Sequence, residues 1–181
     1  MMKMLLGGKE VGASDGASFD VINPATLEVI DRVPSATDAD VETALQNAVS
    51  GAKKWRDVPL YKRIDVIQKF REIYLSRREE LWKLLQSETG KTIGAASGCV
   101  DGSAALCEHY IELSRTLGGE TFPMGNRPDT DGCVMYTIRQ PLGVVLVILP
   151  FNFPVDAYMH KVIPALLMGN SVIIKIGRAH V

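Results

Sequence analysis

Residues 142–175 read LGVVLVILPFNFPVDAYMHKVIPALLMGNSVIIK, and the order of patterns in that stretch decides the fold class. Residues 142–149 are an unbroken apolar run rich in Val and Ile, the composition of a strand buried on both faces of a parallel sheet. Pro150-Phe151-Asn152-Phe153-Pro154 ends that run. Over residues 155–168 apolar side chains recur at helical spacing, Gly169-Asn170 stops the helix, and residues 171–174 form a second buried strand. Strand, helix, strand in this order is a βαβ crossover, so the fold class is α/β with a Rossmann-like parallel sheet.

In open α/β sheets ligands bind beyond the carboxyl ends of the strands, where loops and helix N-termini converge. Residues 150–154 occupy that place. Asn152 stands between two aromatics and two prolines at the mouth of a helix, and two readings of it are open: a rigid amide donor aimed at a substrate carbonyl, or a plain helix N-cap. Lys175, ending the second strand, is likewise either a ligand contact or a solubilising strand-end charge.

Working back toward the N-terminus, residues 19–22 and 29–33 are β-prone runs joined by the turn Asn23-Pro24-Ala25-Thr26, a hairpin or a pair of edge strands. Thr37 is an N-cap for an amphipathic helix with Val41, Ala44, Leu45 and Ala48 at helical spacing, expected to end near Gly51. A second helix starts around Pro59 and carries Ile64, Ile67, Phe70 and Ile73 or Tyr74 on one face, its charges forming a solvated one. Ser76 is expected to cap a third through Leu81, Leu84 and Leu85, closed by Gly90 in the left-handed region. A fourth, over residues 92–117, has small residues early (Gly94, Ala95, Ala96, Gly98, Gly102, Ala104, Ala105), for which close helix packing is the expected reason. Turn-rich sequence then leads into the β-prone run 133–140, read as a projecting hairpin.

Composition narrows the function. Twenty basic and twenty-one acidic residues without blocks of like charge argue against nucleic acid or an anionic membrane as partner. No apolar run approaches the roughly 20 residues of a membrane span, and the opening residues are too short a run for a signal peptide. Cys99, Cys107 and Cys133 are odd in number and outside any C-x-x-C pattern, which fits a reducing compartment, read as the cytoplasm. Glu88-Thr89-Gly90-Lys91-Thr92 resembles the end of a phosphate-binding loop, but that motif needs a glycine where Leu85 stands inside a helix; a helix stop followed by an exposed lysine is the reading preferred. Cys99, Cys107 and His109, spaced by eight and two residues, do not share a helix face, so no metal site is expected.

Pro141-Leu142-Gly143-Val144-Val145, Ile148-Leu149-Pro150-Phe151-Asn152-Phe153-Pro154 and Pro164-Ala165-Leu166-Leu167-Met168-Gly169-Asn170-Ser171-Val172-Ile173-Ile174-Lys175 together resemble the signature run of the NAD(P)-dependent aldehyde dehydrogenase superfamily. Asn23-Pro24-Ala25-Thr26, Trp55, Arg63 and Glu88-Thr89-Gly90-Lys91 agree with it upstream, and the resemblance extends over residues 5–175, the N-terminal part of such an enzyme. It implies oxidation of an aldehyde to a carboxylic acid with NAD or NADP, by a cysteine thiolate that adds to the aldehyde before hydride leaves. The resulting thioester is released to water or, as a minor alternative, to coenzyme A. Carried over, Asn152 donates to the oxyanion, Leu149, Pro150 and Phe151 line the cofactor cleft, and Lys175 binds the adenosine ribose. Phe153, Asp156 and His160, with Ala157, share one helix face that lines the substrate tunnel in this family; Asp156 and His160 there point to a polar substrate. The resemblance also divides the chain into a partial cofactor-binding domain (1–124 and 142–175) and an oligomerisation hairpin (125–141), and implies a homodimer or homotetramer at full length.

After Lys175 the sequence departs from the family. Ile176-Gly177-Arg178-Ala179-His180-Val181 match the in-frame reading ATC GGA AGA GCA CAC GTC of a sequencing adapter, so residues 176–181 are expected to be a non-native tail, and Lys175, whose codon the adapter would complete, is no independent evidence. The family's nucleophilic cysteine and glutamate base lie beyond this point, so this chain alone is expected to be inactive. A non-catalytic nucleotide-binding or oligomerisation scaffold is the competing reading.

Overall fold

The computed structural model describes residues 2–176. Two antiparallel pairs open the chain, β1 (Met4–Leu6) with β2 (Lys9–Val11) and β3 (Ser18–Ile22) with β4 (Val29–Pro34). The second pair is the expected hairpin, and Asn23 Oδ1 accepts from the Ala25 amide at 2.9 Å to set its turn.

Helices α1 (Asp38–Trp55), α2 (Leu60–Ser76), α3 (Arg78–Thr89) and α4 (Ile93–Thr116) follow. Thr37 caps α1 in a reciprocal box: its hydroxyl accepts from the Asp40 amide at 3.2 Å, and the Asp40 carboxylate accepts from the Thr37 amide at 2.9 Å and the Ser14 amide at 3.1 Å. Three local expectations are corrected. α1 does not stop at Gly51 but runs to Trp55, whose indole N–H donates to the Leu166 carbonyl at 2.8 Å; that tertiary bond outweighs the weak helix propensity of one glycine. Ser76 does not cap α3: it is the last residue of α2, and its hydroxyl donates back to the Ile73 carbonyl. Close packing holds for Ala96 and Ala104, which the core buries, but not for Gly94, Gly98 or Gly102, where a Cβ would meet nothing within 4 Å. Gly90, at φ 70°, closes α3 in the left-handed region as expected.

The hairpin pairs β5 (Thr121–Phe122) with β6 (Met135–Tyr136). Its first arm therefore begins before residue 125, and only two residues of the run 133–140 are strand, because this arm lies exposed with no second layer to pack on.

β7 (Val144–Leu149), α5 (Pro154–Leu167) and β8 (Ser171–Ile176) form the βαβ unit, with β7 and β8 parallel. Pro154 suits the first turn of α5, where its missing N–H costs nothing. Asn170, buried in the turn after α5, accepts from the Gly143 amide at 3.0 Å and donates to the Ala165 carbonyl at 3.1 Å, tying the start of β7 to the end of α5. The sheet is not buried on both faces: Val147 and Leu149 are 2% and 1% exposed, whereas Leu146 and Ile148 are 62% and 61% exposed. α5 covers the first face through Val162; among the described residues nothing covers Leu146 and Ile148. The main core lies between helices, where Ile64 and Ile67 of α2 meet Val100, Cys107 and Ile111 of α4 and Met159, Ile163 and Leu167 of α5. The architecture is α/β, a short parallel sheet with flanking helices. Ile176 ends β8 opposite Leu149, so the first residue of the expected tail is part of the sheet; residues 177–181 lie outside the described residues.

Candidate active site at the exit of the first parallel strand

The register of β7 and β8 decides what meets at their carboxyl ends. Lys175 pairs with Ile148, one residue short of Leu149, so Lys175 and residues 150–152 leave the sheet on the same side. Pro150, Phe151 and Lys175 are exposed there, as a cofactor contact requires. Leu149 differs: its side chain is buried beneath α5, and only its backbone reaches the strand exit.

Asn152 is exposed at the mouth of α5. The N-cap position belongs to Phe153, and no side chain caps the helix, so the capping reading of Asn152 falls away. Asn152 stands two residues before the first residue of α5, a helix of 14 residues whose N-terminal N–H groups and positive dipole end no side chain caps.

The face of α5 that carries Phe153, Asp156 and His160 looks onto the junction of α3 and α4. Lys91 places its ammonium 3.8 Å from the Phe153 ring centroid. It is half-buried, not the exposed lysine expected after the helix stop, because the aromatic ring draws its side chain inward. The Ser103 hydroxyl donates to Asp156 Oδ1 at 2.7 Å, and the Tyr110 hydroxyl shares a hydrogen bond of 2.8 Å with His160 Nδ1. The structure thus sets Phe153 against Lys91, Asp156 against Ser103 and His160 against Tyr110, contacts that sequence reasoning missed. A signal existed: Cys99, Ser103 and Tyr110 are spaced by four and seven residues and fall on one side of α4.

Electrostatics separate this wall from a nucleophile. Burial raises the Cys99 thiol above its ordinary value, and its hydrogen bond to Asp156 raises it further. Burial pushes Cys107 up to about 11. Neither is a ready thiolate near neutral pH. Burial also raises the Tyr74 hydroxyl, which donates to the Val100 carbonyl at 3.2 Å beneath this wall. Among the described residues no three His, Cys, Asp or Glu side chains group as metal ligands.

The family model described as aldehyde dehydrogenase family matches residues 11–179. The chain belongs to the aldehyde dehydrogenase family. This aldehyde dehydrogenase chain is 33% identical over 174 residues to the human mitochondrial methylmalonate-semialdehyde/malonate-semialdehyde dehydrogenase (acylating), across 96% of its own length and 32% of the human protein. It is similar in structure to an aldehyde dehydrogenase from Brucella melitensis biovar abortus 2308, with TM-score 0.90 and 29% identity over 96% of this chain and 35% of that one. It is equally similar to an NADP-dependent glyceraldehyde-3-phosphate dehydrogenase from Bacillus halodurans C-125, solved with NADP, with TM-score 0.91 and 29% identity over 96% of this chain and 37% of that one. The chain thus spans about a third of the length of the relatives it matches.

Proposed function

We propose that the full-length enzyme of which this chain spans about a third oxidises an aldehyde to a carboxylic acid with NAD or NADP, and that Asn152 is its oxyanion donor. The observation that carries this reading is the exposed, non-capping Asn152 at the exit of β7, beside Pro150, Phe151 and Lys175. A thiolate adds to the aldehyde carbon, the carbonyl oxygen takes the charge, and Asn152 Nδ2 donates to it. A bound NAD or NADP would supply the hydride acceptor, with Pro150 and Phe151 supporting it and Lys175 donating to its ribose hydroxyls; the Bacillus halodurans relative was solved with NADP. Hydrolysis of the thioester completes the reaction. The thiolate comes from the two thirds of the enzyme outside this chain, because Cys99 and Cys107 are held as thiols and Cys133 belongs to the hairpin arm. Phe153, Asp156 and His160 line the substrate path and select a polar aldehyde. The hairpin, with Val134 and Ile138 exposed, is the oligomer contact, and the free cysteines fit the cytoplasm.

Release to coenzyme A is a second reading, favoured by the human relative, which is an acylating enzyme. The full-length enzyme incubated with aldehyde and NAD or NADP should form reduced nicotinamide, with carboxylic acid as product in the absence of coenzyme A. Nucleotide binding without aldehyde-dependent reduction would favour the non-catalytic scaffold, and reduction only with coenzyme A would favour acylation.

A further inference from the structure

Three lysines stand over aromatic rings among the described residues. Two of them are exposed and sit beside their ring in sequence, Lys62 at 5.9 Å from Tyr61 and Lys83 at 5.6 Å from Trp82. Lys91 differs on each count: it is half-buried, its ammonium lies 3.8 Å from the ring centroid, and its ring, Phe153, comes from a distant part of the chain. It makes no ion pair among the described residues, so the ring face is its partner. Its backbone is fixed from both sides. Gly90 ends α3 at φ 70°, with Pro24 Cγ 3.0 Å from the place a Cβ would fill, and Thr92 caps α4 by accepting from the Ala95 amide at 3.3 Å. Lys91 therefore reaches from the joint of two helices to the loop that leaves β7.

Phe153 stands between that reach and Asn152. Its carbonyl accepts from the Ala157 amide at 3.0 Å as α5 begins, but its side chain is 46% exposed, so apolar packing holds the ring only in part. The ammonium over its face supplies a directional contact. Asn152 makes no side-chain hydrogen bond among the described residues, so its direction follows the peptide it shares with Phe153. We infer that Lys91 is a positioning residue: by holding the Phe153 ring, it sets the direction in which Asn152 presents its amide to the developing oxyanion. This rests on the reading of Asn152 as the oxyanion donor. Lys91 acts through Phe153 and Asn152 and takes no part in moving a proton or hydride.

The test is single-turnover hydride transfer in the full-length enzyme, with saturating NAD or NADP and whichever of propanal and glyceraldehyde the wild type oxidises faster. Lys91→Met, which nearly keeps the length and loses the charge, should slow hydride transfer by about tenfold while the cofactor Kd stays near that of the wild type. Lys91→Arg, which keeps a cation over the ring, should hold the rate within about threefold. Added to Asn152→Ala, Lys91→Met should slow the reaction no further, because the donor it aims is gone. Loss of folded enzyme lowers the amplitude of a single turnover and not its rate constant, and a general loosening of the site would slow both backgrounds alike. A wild-type rate in Lys91→Met, or the same tenfold loss in the Asn152→Ala background, would overturn the positioning role. A wild type that oxidises neither aldehyde, or a wild-type rate in Asn152→Ala, would instead overturn the reading of Asn152 on which it rests.

Discussion

At the residue scale, chemistry at the exit of β7 depends on which polar groups are already engaged and which are not. Asn152 precedes a helix that no side chain caps, whereas Asp156 and His160 are engaged by Ser103 and Tyr110 and do not rotate freely. The cysteines divide in the same way. Cys107 is buried with its thiol held at about 11, Cys99 is half-buried and also raised, and Cys133 is exposed. Alkylation of the native protein with iodoacetamide at about pH 8 should therefore modify Cys133 first, Cys99 more slowly, and Cys107 only after unfolding. Peptide mass spectrometry would read the order, and early modification of Cys107 would contradict the burial assigned to it.

At the scale of elements, two joints can be tested by substitution. Thr37→Ala removes the hydroxyl that caps α1 and should lower stability by about 1 kcal/mol in urea unfolding. Asp40, the other half of that box, has its carboxyl held below the ordinary value of 3.8, first by the Thr37 amide and then by the Ser14 amide. Because the folded value is depressed, the stability it contributes is present above the unfolded value and is lost as the pH falls through the folded one. Asp40→Asn should remove that part of the acid limb of a stability profile, and an unchanged limb would show that the carboxylate is unlinked to folding. Gly169, at φ 85°, turns the chain between α5 and β8 with Arg63 and Pro141 against the place a Cβ would fill. Gly169→Ala should cost about 2 kcal/mol or more, measured by the shift in urea midpoint.

These same elements show what local sequence can and cannot say. The Thr37 cap, the Gly90 stop, the Asn23 turn and the βαβ order are set by residues within a few positions of one another, and all were legible. The extension of α1 to Trp55 depends on a hydrogen bond to a carbonyl more than a hundred residues away, which no local pattern reveals. The glycines of α4 read as packing residues because small size looks alike whether a surface is crowded or open. At the candidate site, the strand-end positions of Asn152 and Lys175 left two readings of each open, and the roles of Phe153, Asp156 and His160 came from the family resemblance, their spacing showing only that they share a helix face. Lys91, Ser103 and Tyr110 did not stand out, since their partners lie on a different helix and only the packing of α4 on α5 brings them together. The lysine looked like an ordinary surface charge until an aromatic ring was found beneath it.

At the scale of the whole molecule, the chain presents one covered and one uncovered face of its parallel pair. Leu146 and Ile148 of β7 are exposed on the uncovered face; Ile174 and Ile176 of β8, which pair with Val147 and Leu149 on the other face, are exposed too, and so are Val134 and Ile138 of the hairpin arm and Leu142 beyond it. The 181-residue chain should therefore self-associate when made alone; a monodisperse monomer in light scattering would show that these surfaces are tolerated by water. It should also fail to reduce NAD or NADP with aldehyde, because the site at Asn152 has no thiolate of its own among the described residues. The proposed role of Asn152 is tested in the full-length enzyme. The most direct test is single-turnover kinetics of the full-length enzyme carrying Asn152→Ala, beside direct measurement of its cofactor Kd. Hydride transfer should slow by about 10²–10³-fold, the loss typical of one oxyanion donor, while the Kd stays near that of the wild type; a wild-type rate of hydride transfer in the variant would contradict the assignment of Asn152 as the oxyanion donor.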